Sequence, residues 1–88
     1  MNHVSFSGPA AVVRWGYHRA AELGTWTMES AGDGYKLTAQ LQTVDAYQID
    51  QMPLTFVVPR GDRPDWKWPI TSSTVNGSTF TADLGPSE

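Results

Sequence analysis

The sequence predicts an all-β protein, a small antiparallel barrel or sandwich of five to seven strands, and three observations carry that expectation. Short runs of alternating apolar and polar residues recur from Thr25 to Leu84, the period of a half-buried strand. Gly, Pro, Asn and Asp stand between the runs, residues that turns select for positive or fixed φ and for local hydrogen bonding. The closing third then reads as a hairpin. Trp66, Trp68 and Ile70 share one face, Asn76-Gly77 supplies the turn, and Phe80, Ala82 and Leu84 share a face on the way out. Asn-Gly suits a type I′ turn, whose two central residues both take positive φ.

Taken in order, residues 1–9 end in the punctuation pair Gly8-Pro9 and, with residues 85–88, read as loose ends of one domain spanning 1–88. Ala10 to Gly24 admits two readings. Pro9 before it and Gly24 after Leu23 have the asymmetry of a helix that starts after proline and stops at glycine, which gives one short helix near residues 10–23. Val12, Val13, Trp15, Gly16 and Tyr17 are mediocre helix formers, however, and Val13, Trp15 and Tyr17 alternate as a strand does. The balance favours a strand over about Ala11–His18, then a turn or bulge around Ala20–Gly24.

Thr25 to Ser30 alternates with Trp26 and Met28 inward, Ala31-Gly32-Asp33-Gly34 is a turn cluster, and Tyr35, Leu37, Ala39 and Leu41 mark the returning strand. From Thr43 to Asp50 the apolar positions Val44, Tyr47 and Ile49 slip in phase near Asp45-Ala46, which predicts a bulge bending a long strand. Leu54 to Val58 is a strand bracketed by Pro53 and Pro59, and Arg60 to Asp65 is a polar loop.

Composition narrows the function classes. The 88 residues contain no cysteine, so no disulfide, thiolate zinc site or cysteine nucleophile is available, and burial or self-association must supply the stability. Nine acidic against six scattered basic side chains, net −3, argue against binding nucleic acid by phosphate neutralisation. No stretch approaches the roughly twenty apolar residues that span a bilayer. The start, Met1 to Phe6, lacks a basic, apolar leader, so a soluble cytoplasmic protein with no membrane partner is expected.

Catalytic constellations are weak. His3 and His18 form no metal-binding pair, and Ser72, Ser73 and Ser78 are hairpin residues outside any nucleophile turn. Asp45 with Asp50, and Asp62 with Asp65, lie among turn residues, where an acid usually accepts from its own backbone. Gly32-Asp33-Gly34 lacks the length and lysine of a phosphate loop, and the Arg60-Gly61-Asp62 tripeptide follows from loop composition. No enzyme activity, metal or cofactor is therefore expected.

Aromatic residues are the functional lead, with four Trp, three Tyr and three Phe in the chain. Trp66 and Trp68, two apart on a strand, point the same way at about 6–7 Å. They either form a stacking platform for a sugar or unpaired base or face the core opposite Phe80, Ala82 and Leu84. Trp15 and Tyr17, beside Arg14 and Arg19, have the composition of an interface hot spot. The expected binding residues are Trp15, Tyr17, Arg19, Trp66 and Trp68, with Arg14, Arg60 or Arg63 at the rim.

The run Leu23-Gly24-Thr25-Trp26-Thr27, then Leu54 to Val57, Trp66 to Ile70 and Val75 to Pro86, resembles small uncharacterised β-rich proteins of tailed phages and prophages. The likeness covers about residues 20–86 and carries no catalytic motif. It implies an assembly component or an accessory factor that binds protein, placed in a bacterial host cell or a virion. The expected function is thus a non-enzymatic protein–protein interaction or assembly module, with a protein partner or self-association as a homo-oligomer. The alternative is an aromatic-platform module for carbohydrate or single-stranded nucleic acid.

Overall fold

The computed structural model describes residues 5–86. Its strands are β1 (Ser5–Gly8), β2 (Ala11–Trp15), β3 (His18–Ala31), β4 (Gly34–Val44), β5 (Leu54–Arg60), β6 (Arg63–Asn76) and β7 (Thr79–Leu84), with one 3-10 turn at Gln48–Asp50. All pairings are antiparallel. Six strands in the order β3-β2-β5-β6-β7-β4 close into a barrel through the β3–β4 pairing, and β1 lies against β3 as an extra strand. The fold class read from the sequence is therefore correct, and barrel replaces sandwich. No described helix is long and apolar enough to cross a membrane.

The barrel consists of two three-stranded meanders, β2-β3-β4 and β5-β6-β7, joined along the β2–β5 and β4–β7 seams. Inside them, alternation fills one core: Val13, Leu23, Met28, Leu37, Leu54, Phe56 and Phe80 are at most 1% exposed. No polar or charged residue is buried among the described residues. Burial of these side chains is the dominant favourable term for a chain without cysteine.

Every hairpin closes with two residues, the first a glycine: Gly16-Tyr17, Gly32-Asp33, Gly61-Asp62 and Gly77-Ser78. These glycines have φ of 61–71° while no described non-glycine residue has positive φ, the signature of type II′. The predicted Asn76-Gly77 type I′ turn is thus displaced by one residue. A type II′ turn needs a single positive φ, which Gly77 supplies, so Asn76 stays extended and pairs with Thr79. The Leu41 amide donates to the Ser78 carbonyl at 2.7 Å and ties the tip to β4.

Other expectations are corrected. No helix forms near residues 10–23; Gly16 ends β2 at Trp15, earlier than the expected His18, and β3 begins two residues on. The helix-like signals have other uses. Pro9 stands in the break between β1 and β2, and Gly24 lies where the β3–β4 register shifts, between Leu23 and Trp26. A bulge, not a turn, therefore occupies Ala20–Gly24. Residues 5–8 of the expected loose start form β1, whereas His3 and residues 87–88 lie outside the described residues.

The bent strand expected over Thr43–Asp50 stops at Val44. Asp45 Oδ1 accepts the amides of Tyr47 at 3.0 Å and Gln48 at 2.9 Å, turning the chain so that Ile49 is buried. Pro59 lies within β5, at a register shift between Val58 and Arg60, where the missing N–H costs no ladder bond. The expected polar loop shrinks to Gly61-Asp62, since β6 already starts at Arg63.

Candidate functional site

The β2–β5 seam ends at the pair Val12–Val57. Beyond it β5 continues through Val58, Pro59 and Arg60, held by β6 alone, while β3 takes β1 as its neighbour. The outer edge of β1 has no strand beside it among the described residues. A wedge therefore opens between β1 and the end of the β5–β6 hairpin. Its first part, about 480 Å³, is lined by Phe6 to Ala10 on one side and Val58, Pro59 and Trp66 on the other. A second part of about 260 Å³ adds Tyr35, Asp65, Lys67 and Trp68. Phe6, Trp26 and Trp66 line both, so the two form one cleft, of a size usual for ligand sites.

An aromatic chain makes its wall. Phe6 meets Tyr35 at 6.1 Å, Tyr35 meets Trp68 at 6.4 Å, and Trp68 meets Trp66 at 6.2 Å and Phe56 at 5.7 Å. Trp26 contacts Phe56 from the other side at 5.2 Å. Most of these contacts are edge-to-face, the arrangement ring quadrupoles favour. Phe6 is 41% and Trp66 46% exposed, whereas Trp68 is 7% exposed. The Arg60 guanidinium carbon lies 4.4 Å from the Trp66 ring centroid, a cation–π contact that covers part of the indole face.

Trp66 and Trp68 do point the same way, but their rings meet at 68°, and only one of them reaches solvent. They are not two parallel plates. Trp68 serves the core and Trp66 the rim.

Trp15, Tyr17 and Arg19 lie elsewhere. Trp15 is half-buried against the core at the end covered by the 3-10 turn, 6.1 Å from Tyr47 and 5.9 Å from His18. Tyr17 projects fully from the hairpin turn, so the shared Trp15–Tyr17 face expected of a continuous strand does not exist. Arg19 is exposed and pairs with Glu22 at 3.2 Å. Of the five expected binding residues, the structure gathers Trp66 and Trp68 at the cleft and leaves Trp15, Tyr17 and Arg19 at the β2–β3 hairpin. Phe6, Trp26 and Tyr35 were missed as cleft residues. For Phe6 the only signal was a single ring in Ser5-Phe6-Ser7, too short to show a period.

Trp26 anchors the β1 wall. Its Nε1 donates to the Ala10 carbonyl at 3.2 Å, and its ring lies where a Cβ on Gly8 would come within 2.7 Å. Gly8→Ala should therefore push β1 off the indole while the six-stranded barrel persists. Amide hydrogen exchange is expected to speed up at Ser5–Gly8 and stay slow in Phe56 and Phe80. Unchanged protection of β1 would show that the indole yields instead.

Among the described residues no three His, Asp or Glu side chains come together as a metal-holding group. No known protein family matches the chain, and no curated protein or solved structure matches it either.

Proposed function

We propose that this protein is a non-enzymatic binding module that captures another polypeptide chain, its own copy included, in the cleft between β1 and the β5–β6 hairpin. The observation that supports this reading most is the β1 edge, which no described strand pairs, with Phe6 on it and Trp66 across the cleft. An open edge offers a row of backbone donors and acceptors to an incoming strand, and neighbouring pockets for its side chains give selectivity. Half-exposed aromatic rings beside an arginine have the composition that interfaces favour. The likeness to small tailed-phage proteins, many of them assembly parts, fits the same reading, in which the chain would be phage-derived.

A photo-crosslinking residue, p-benzoylphenylalanine, placed at Phe6 and separately at Tyr17, tests it in a bacterial lysate. Crosslinks to a defined chain are expected from position 6 and not from position 17, and Trp66→Ala should remove them. Equal labelling from both positions, or labelling indifferent to Trp66, would mean that the cleft is not a binding face.

A further inference from the structure

Resting on the reading of the cleft as a peptide-binding face, we propose that its occupant is an acidic, extended segment of a different protein, carrying one aromatic or large aliphatic side chain. Three observations lead there. The β1 edge suits an extended backbone of any sequence. The space between Phe6, Trp26 and Trp66 suits one bulky apolar side chain on that backbone.

Charge sets the sign of the flanks. Arg60, Arg63 and Lys67 are three of the six basic residues in the chain, and all stand on the β5–β6 lip. With Asp62 and Asp65 they give residues 60–67 a charge of 3 − 2 = +1, so the rest of a chain of net −3 carries −4. Among the described residues neither Arg60 nor Lys67 makes an ion pair. The Arg60 guanidinium is held over Trp66, which fixes it beside the cleft with donors left for a carboxylate. An arginine so placed takes a carboxylate in paired, charge-assisted hydrogen bonds.

The same charges argue against a second copy as occupant. A symmetric dimer through the β1 edge would offer each cleft only a second Ser5–Gly8 strand, which carries no acidic side chain to meet the lip. Such a pairing lacks the electrostatic complementarity that steers and selects a partner.

Selection of a random dodecapeptide library on the immobilised protein tests the proposal. Enriched peptides should carry Phe, Tyr, Trp, Leu or Ile next to Asp or Glu. Synthesised singly, they should bind Arg60→Gln and Trp66→Ala about tenfold or more weakly than the parent, and bind less as salt rises. Both variants are first shown by their unfolding transitions to be fully folded at the assay temperature. Peptides that depend on Trp66 but are neutral or basic would overturn the acidic preference and leave the binding reading standing. Enrichment of no peptide that depends on Phe6 or Trp66 would overturn both. A dimer that resists dilution in light scattering and dissociates on Phe6→Asp would overturn the proposal as well, because the second copy would then fill the cleft.

Discussion

Trp68→Ala is expected to remove about 3–5 kcal/mol of stability, while Trp66→Ala, two residues earlier on the same face, removes about 1 kcal/mol or less. Trp68 is buried and touches Phe56, Tyr35 and Trp66. Its loss leaves a void that the surrounding barrel strands cannot collapse into, since each is paired along both edges or pinned to a closed sheet. Trp66 gives up a ring whose outer half already faces water, together with its contact to Arg60. Small domains have in total about 5–15 kcal/mol, so Trp68→Ala should be largely unfolded on modest heating and Trp66→Ala should not. Urea unfolding of the two variants, compared at equal slope, checks this. Equal losses would mean that both rings belong to the core and would remove the cleft's exposed anchor.

Gly34→Ala is expected to be clearly destabilising although it adds only a methyl group. A Cβ on Gly34 would overlap the carbonyl oxygen of Leu84 and lie 3.1 Å from its carbonyl carbon and 3.4 Å from Gly85 Cα. All three are backbone atoms, which cannot swing aside as a side chain can. Leu84 is held twice, opposite Tyr35 on β4 and Ile70 on β6, and the Gly85 amide donates to the Pro69 carbonyl at 2.8 Å. Relief must therefore break the end of the β4–β7 seam. Overpacking of this kind costs about 1–3 kcal/mol or more, which for a domain of this size lowers the melting temperature by about 10 °C. Gly32→Ala is an informative control, because nothing lies within 4 Å of its Cβ and its φ of +61° imposes conformational strain alone. A melting temperature for Gly34→Ala within a degree or two of the parent would show that the seam gives way easily.

Most of the architecture was legible in the sequence because it is written in period-two alternation, and that signal survives wherever a strand has one wet and one dry face. Trp26 and Met28, Leu37 and Ala39, Phe80 and Ala82 all point inward as their spacing requires. The failures sit where the alternation is interrupted. Asn76-Gly77 drew the turn one residue early, yet Phe80, Ala82 and Leu84 kept their inward face. The reason is a register shift between Ile70 and Ser72, which flips the face of β6 midway, as any one-residue slip does. Ser73 and Val75 then lie opposite Ala82 and Phe80, and Trp66 and Trp68 run past the end of β7 to pair with Val58 and Phe56 of β5. The cleft itself could not be read from sequence. It depends on where β2 stops and β1 starts along β3, a matter of two non-adjacent pairings that leave no local trace.

The two meanders that close the barrel have parallel layouts. Gly16 and Gly32 open the two turns of the first, Gly61 and Gly77 those of the second, and the central strands β3 and β6 each have fourteen residues. Within each meander the strands pair with their sequence neighbours, so each can assemble from hairpins on the microsecond scale. Joining them requires that Val12 find Val57 and Tyr35 find Leu84. The entropy of that closure grows only slowly with the length of chain between partners, and the short connection through Asp45 and the 3-10 turn already holds the halves close. The barrel is thus an intramolecular pairing of two similar halves, and the binding cleft is the place where that pairing stops short.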